Sequence, residues 1–204
     1  AGKTVIADVE GTELNQAFIE ATCPATGGVL KAGRQRLILG NARFIGNVGW
    51  RQNEQTYDAA VLTTPEKGGL KLTYGYLDTV YRIFGQENGS QPSGGAGNAA
   101  SYSSDSHIVN LGYTPCKAFS ATAYAYLLDL GDRAVGSANS SDTYGINAKV
   151  TLPSDLGITT VCSVEYAQQA DNSASPADVE YDAEYVMIDV SGKTDDLGLG
   201  IGLE

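Results

Sequence analysis

Between Gly33 and Ala60 the chain reads GRQRLILGNARFIGNVGWRQNEQTYDAA, a stretch dense in side chains suited to holding a polar solute. It carries Arg34, Arg36, Arg43 and Arg51 together with Trp50, Glu54 and Asp58, and Glu13 lies upstream. Guanidinium groups present forked donors that match carboxylates and sugar hydroxyls. On an extended segment Arg34 and Arg36 share a face with Ile38, while Gln35, Leu37 and Leu39 take the other. In a dry core such a ladder would need several carboxylate partners, whereas lining a wet lumen it needs far less. The expected arrangement sets Arg34, Arg36, Arg43 and Arg51 against Glu13, Glu54 and Asp58 across a constriction. Opposed charges of that kind favour solutes with separated charge or many hydroxyls. Trp50–Gln55 suits an inward loop narrowing the lumen; the competing reading is an Arg51–Glu54 pair that merely steadies a loop.

Other chemistry finds little support. His107 is the single histidine, so any Ser-His-Asp or Cys-His arrangement rests on one residue that reads as a rim position at a strand start. No phosphate-cradling glycine loop or dinucleotide fingerprint is present, and nothing singles out a carboxylate pair for glycoside hydrolysis. Asp171, Asp178, Glu180, Asp182 and Glu184 surround a Pro/Ala/Ser loop without calcium-loop spacing, so a solvated acidic loop is the plainer reading. Cys23, Cys116 and Cys162 are too scattered for zinc or a disulfide framework and read as small strand residues. No catalytic role, cofactor or metal is expected.

The elements that must position these groups read as strands. Leu70, Leu72, Tyr74 and Tyr76 alternate with Lys71, Thr73 and Gly75; Tyr144, Ile146, Ala148, Val150 and Leu152 alternate with polar partners. Leu197, Leu199, Ile201 and Leu203 are separated by glycines. Period two predicts strands with one apolar face. Such segments fall near Glu13–Thr22, Val29–Leu39, Thr56–Thr64, Leu70–Arg82, His107–Thr114, Ala118–Leu130, Asp142–Leu152, Gly157–Gln168, Tyr181–Ser191 and Asp196–Leu203. Several reach the ~9–11 residues a tilted membrane strand requires. Short turns near Pro115, Pro153 and Gly192 alternate with longer polar loops at Gln86–Ser106, Gly131–Ser141 and Ala170–Glu180, the layout of an up-and-down barrel. A composition of 25 Gly and 12 Tyr fits many turns and half-buried strands. The net charge of −11 repels nucleic acid and anionic headgroups. Ala1–Asp8 lacks a signal-peptide core, and no apolar run reaches the ~18–20 residues of a membrane helix.

GTELNQAF (Gly11–Phe18), KAGRQRLIL (Lys31–Leu39), NARFIGNVGWRQNEQTYDA (Asn41–Ala59), LKLTYGYLDTVYRIFG (Leu70–Gly85), FSATAYAYLLDL (Phe119–Leu130), SSDTYGINA (Ser140–Ala148), VEYAQQADNSASPADVEYDAEY (Val164–Tyr185) and LGLGIGLE (Leu197–Glu204) occur in that order. Together they resemble the alginate-export-like outer-membrane porins of proteobacteria, the GRQR and NVGWRQNEQTYDA segments most specifically. The resemblance implies an outer-membrane β-barrel passing small solutes or sugars or, in the named members, an anionic polysaccharide. Family chains are about twice as long, which makes this one correspond to their middle. Gly40 stands where the family carries an acidic residue, and the net charge fits poorly with a polyanion.

The expectation is therefore one domain over residues 1–204: an all-β, antiparallel up-and-down membrane-type barrel of about ten strands, or part of a larger one. Phe119, Ala121, Ala123, Leu127, Ile146, Val150, Leu152, Leu197, Leu199, Ile201 and Leu203 would face outer-membrane lipid. Function would be passage of small polar solutes or saccharides, with association into homo-oligomers left open. One rival is a secreted filament-forming or adhesive β-protein whose apolar face meets a neighbouring sheet. A second is a carbohydrate-binding or glycan-cleaving domain using Tyr74, Tyr76, Tyr124, Tyr126 and Trp50.

Overall fold

The computed structural model describes residues 12–85, 99–131, 139–153, 158–172, 180, 182–194 and 198–203. Leu197 and Asp178, named above, lie outside the described residues.

Ten strands follow one another: β1 (Ala17–Thr22), β2 (Val29–Gln35), β3 (Thr56–Thr63), β4 (Leu70–Tyr81), β5 (Ser101–Cys116), β6 (Phe119–Leu128), β7 (Ser141–Pro153), β8 (Thr159–Ala170), β9 (Asp182–Lys193) and β10 (Gly198–Leu203). They form one sheet in strict sequence order, every neighbouring pair antiparallel, with β1 and β10 at its edges. The expected all-β up-and-down meander is what the chain adopts. Along the chain shorter intervals between strands alternate with longer ones, so that the described short connections 23–28, 64–69 and 117–118 lie at one end of the sheet and the described long connection 36–55 at the other.

Cross-strand pairs share a face, so the register sorts the side chains. One row joins Leu70, Tyr113, Ala121, Ala148, Val164, Ile188 and Leu203, and the next joins Leu72, Leu111, Ala123, Ile146, Tyr166 and Val186. These rows make a continuous apolar outer face, on which Ile19, Leu62, Leu152 and Ile201 are also exposed. Tyrosines Tyr74, Tyr76 and Tyr144 bound it toward the long connections, and Asp105 and Asp142 follow. The stripe expected around Phe119–Leu127, Ile146–Leu152 and Leu199–Leu203 lies on this face.

The other, inner face is divided. Toward the long connections Tyr57, Ala59, Val61, Leu77, Val80, Tyr102, Ile108, Tyr124, Tyr126 and Ala167 form a buried cluster with Leu37 and Ile45 of the first long connection. Toward the short turns it is polar, with Lys71, Asn147, Lys149, Ser163 and Asp189. Two glycines fit this surface to its neighbours. A Cβ at Gly145 would enter the Tyr124 ring, and one at Gly75 would stand 2.7 Å from Ile108 Cγ1.

Strand β5 corrects the sequence reading. It begins at Ser101 and not at His107, because Ser104 and Ser106 in its first half have their hydroxyls satisfied within the sheet. Ser104 donates to Ser106 at 2.7 Å, Ser106 donates to the Asp129 carbonyl at 3.1 Å, and the Asp129 amide returns a bond to Ser106 at 2.9 Å. His107 is consequently mid-strand on the outer face, paired with Tyr76 and Leu127, its Nδ1 2.8 Å from the Tyr74 hydroxyl. The three cysteines are free thiols.

Candidate functional site

The first long connection, residues 36–55, folds back over the inner face. Leu37 and Ile45 are buried in the sheet's cluster, with Leu39 and Phe44 packed against it. Phe44 seats its ring among Tyr124, Tyr126 and Tyr185, with centroids at 5.9, 6.2 and 6.2 Å, and Tyr124 and Tyr126 stack on one another at 4.9 Å. Asn41 donates to Glu165 Oε2 at 3.3 Å, and the Tyr124 hydroxyl donates to Glu165 Oε1 at 2.7 Å. Tyr126 donates to Asn110 at 3.0 Å. These contacts carry the loop from its anchor on β2 and β3 as far as β6, β8 and β9.

The loop's own path is tight. The buried Tyr57 hydroxyl donates to the Gly46 carbonyl at 2.8 Å, and the Gln55 amide reaches the same carbonyl at 3.1 Å. Gly46 is required where it stands, since a Cβ there would lie 2.8 Å from the Ala42 carbonyl oxygen. Ala42 and Val48, on either side, hold φ of 63° and 52°. That region is unusual for a non-glycine residue and an outlier for a β-branched one.

At the base of the loop Glu54 is gripped by several donors. Arg36 donates through Nε at 2.6 Å and through Nη2, and Asn15 and Asn47 add their amides. The Arg36 guanidinium, then the two asparagines, hold the Glu54 carboxyl down at about 2, against a smaller opposing effect of burial. The sign is that of a depressed acid: the clamp is complete above the ordinary carboxylate range, ~4–4.5, and is lost as pH falls toward about 2. Amide exchange of residues 36–55, corrected for intrinsic rates, should stay level from about pH 7 to 5 and rise on further acidification. Glu54→Gln should remove that pH step, and an identical step in the variant would assign it to another group.

The remaining expected site residues divide. Arg34 and Asp58 pair directly, Nε–Oδ1 at 2.9 Å and Nη2–Oδ2 at 3.1 Å, with the guanidinium 3.5 Å over the Tyr81 ring. The register puts both on the outer face, in line with Ala17. Gln35 takes the inner position at 1% exposure, its amide donating to the Ala59 carbonyl at 2.9 Å. The expected Arg34–Arg36 ladder does not form, because β2 ends at Gln35 and Arg36 already belongs to the loop. Glu13, Arg34 and Glu54 instead line one recess of about 390 Å³ with Asn15, Gln52 and Tyr81. Arg43 stands apart, 4.1 Å over the Tyr185 ring. Arg51 lies 4.1 Å over the ring of Trp50, which is exposed. An Arg51–Glu54 pair does not occur among the described residues; Glu54 takes Arg36.

Phe44, Tyr185, Glu165 and Asn41 are the residues that sequence reading missed, and Tyr124 and Tyr126 entered it only as aromatics of the carbohydrate-binding alternative. A signal existed in the pairing of Tyr124 with a glycine, a device that lets a ring lie flat across the next strand. Beside them, Arg43, Asn139, Ser141, Thr143, Gln169 and Tyr185 line a cavity of about 410 Å³. Gln169 donates to Ser141 and to Thr143, each at 3.1 Å. Among the described residues no His, Cys, Asp and Glu side chains converge as a metal site.

No family model and no curated protein matches this chain. Solved structures do. OpdL of Pseudomonas aeruginosa is 21% identical with a TM-score of 0.63, over 86% of this chain and 44% of that one. OccAB2 of Acinetobacter baumannii is 15% identical with a TM-score of 0.64, over 86% and 42%. OccK2 (OpdF) of Pseudomonas aeruginosa, solved in complex with glucuronate, is 15% identical with a TM-score of 0.62, over 86% and 44%. At these identities the likeness is one of fold, that of outer-membrane porin barrels of proteobacteria. The chain spans less than half the length of the structures it matches.

Proposed function

We propose that this chain forms part or all of the wall of an outer-membrane porin and supplies the loop that narrows its lumen. The observation that carries the reading is the connection 36–55 lying across the inner face, opposite a continuous apolar outer face. An exposed apolar band bounded by tyrosines is suited to lipid. A polar inner face half covered by a docked loop is suited to passing solutes one at a time. The role is that of a channel and not of an enzyme. The filament reading expected an apolar face covered by another sheet; the face the chain covers is the inner one, and its own loop does it.

Small polar solutes, saccharides first among them, are the proposed cargo. The cavity beside Phe44 offers a guanidinium, two amides, two hydroxyls, the Glu184 carboxylate and a tyrosine ring, a set suited to hydrogen-bonding and stacking a sugar ring. Its volume of about 410 Å³ lies in the ordinary range of small-molecule sites. The glucuronate complex of OccK2 and the resemblance of Gly33–Ala60 to alginate-export-like porins support the same class. The charge of −11 argues against a long polyanion.

Conductance in planar bilayers tests the reading, with the chain refolded in detergent. Stepwise openings are expected, with a monosaccharide reducing the open-channel current and Arg43→Ala weakening that block several-fold. A chain that never inserts, or inserts without discrete steps, would overturn it.

A further inference from the structure

The recess of about 390 Å³ at the base of the loop belongs to the outer face. Arg34 pairs across the sheet with Asp58 and Thr56 with Tyr81, and Asp58 stands two residues beyond Ala60, the partner of Tyr76. The recess therefore lies just past the tyrosine row, on the side of the long connections, where the headgroups of a bilayer begin. Arg34, Asp58 and Tyr81 are locked together as its floor, and Glu13, Asn15 and Gln52 stand around it. The exposed Gln52 amide makes no hydrogen bond among the described residues. Toward the short turns the same face is apolar. Ala32 and Ala60 fill the next row, between Ile19 and Tyr76, and Leu30 and Leu62, each 45% exposed, fill the one after. Polar groups thus meet an apolar path on one continuous surface, the division an amphiphile carries along its own length.

We propose that this recess binds the sugar headgroup of a membrane glycolipid, whose chain runs over Ala32 and Ala60 onto Leu30 and Leu62. A primary amide such as that of Gln52 both gives and accepts hydrogen bonds, as the neighbouring hydroxyls of a sugar do. A phosphate headgroup is disfavoured, because Arg34 commits Nε and Nη2 to Asp58 while Glu13 and Glu54 also line the recess. The two alanines leave a shallow path from headgroup to apolar band, and burial of the chain along it supplies the larger share of the affinity. A free sugar lacks that share. The site is separate from the cavity beside Phe44, which the inner-face residues Thr143, Ala167 and Tyr185 line. The inference rests on the porin reading only in that the outer face meets lipid.

The test uses the full chain in amine-oxide detergent micelles carrying a small fraction of dodecyl maltoside, with native mass spectrometry counting what stays bound. A single dodecyl maltoside should be retained per chain, and dodecylphosphocholine at the same fraction should be retained far less. Gln52→Ala, a change at an exposed side chain, should lower maltoside retention several-fold through loss of its hydrogen bonds. Ala60→Phe, which obstructs the chain's path, should lower it as well. A diazirine on the maltoside tail should label the segment around Ala60 and Leu62. Equal retention of the two detergents, unchanged retention in Gln52→Ala, or labelling confined to the inner-face residues around Tyr124 overturns the site. Free maltose displacing dodecyl maltoside at equal concentration overturns the lipid and assigns the recess to a soluble saccharide. Retention is read without current, so the two readings fail separately. A chain that never conducts yet keeps the maltoside loses the porin and keeps the recess; a conducting chain that keeps none loses the recess alone.

Discussion

Val164→Arg should cost about 2–4 kcal/mol in a bilayer, and Ser163→Arg, one residue away, should cost little. Val164 lies mid-strand on the outer face between Ala148 and Ile188, half exposed at 51%. Arginine there must bring a guanidinium into hydrocarbon, where water and partner groups are missing. Ser163 belongs to the inner face, opposite Lys149 and Asp189, where an added cation remains in a polar setting beside a carboxylate. The measurement is unfolding in urea from lipid vesicles, reported by the single Trp50 or by gel mobility. In water a half-exposed valine replaced by arginine would cost next to nothing. Equal effects at the two positions would remove the membrane from the account of this sheet.

Gly145→Ala should be the most disruptive small substitution on the inner face, destabilising by about 1–3 kcal/mol through overpacking. The space a methyl group would need is occupied by the Tyr124 ring, which lies over β7 to reach Glu165 at 2.7 Å. Either the phenol gives up Glu165 or the strands part, and both choices disturb the seat of Phe44. Tyr124→Ala alone should cost about 3–5 kcal/mol, as other large aromatic truncations do. Joined with Gly145→Ala it should cost less than the sum, because the intruding methyl then meets no ring. Equilibrium unfolding of the four species gives the coupling, and strict additivity would refute the contact.

How much of this was legible follows from what a strand requires. Leu70–Tyr76 and Tyr144–Leu152 alternate between apolar residues on one face and polar residues or glycine on the other, so their faces could be read directly. Ser101–Ser106 reads as loop by composition; Ser104 and Ser106 are inner-face residues whose hydroxyls bond each other and the Asp129 carbonyl, a pattern visible only once β6 is alongside. Arg34 shows the other failure. Arginine and glutamine at successive positions offer no hydrophobic contrast, so the assignment of faces rests on the register, and a one-residue slip exchanges them. Arg34 therefore pairs outward with Asp58 while Gln35 turns in. Leu37–Ile45 is apolar enough to continue a strand, yet it leaves the sheet and packs on top of it. Partners for Phe44 come from strands more than seventy residues away, and no local pattern encodes them.

That distance bears on the order of assembly. Each strand touches in any extent only the strands before and after it in sequence, so the meander can grow hairpin by hairpin with short loops to close. The 36–55 connection is the exception, reaching 124 residues forward from Asn41 to Glu165. Closing so wide a span from an unfolded chain would gain a handful of contacts for a large loss of freedom. Once β3 through β9 are paired, the same span is bridged by a finished surface and the loss is already met. The loop is thus the last piece to arrive: the sheet is built first, and its inner face is covered afterwards.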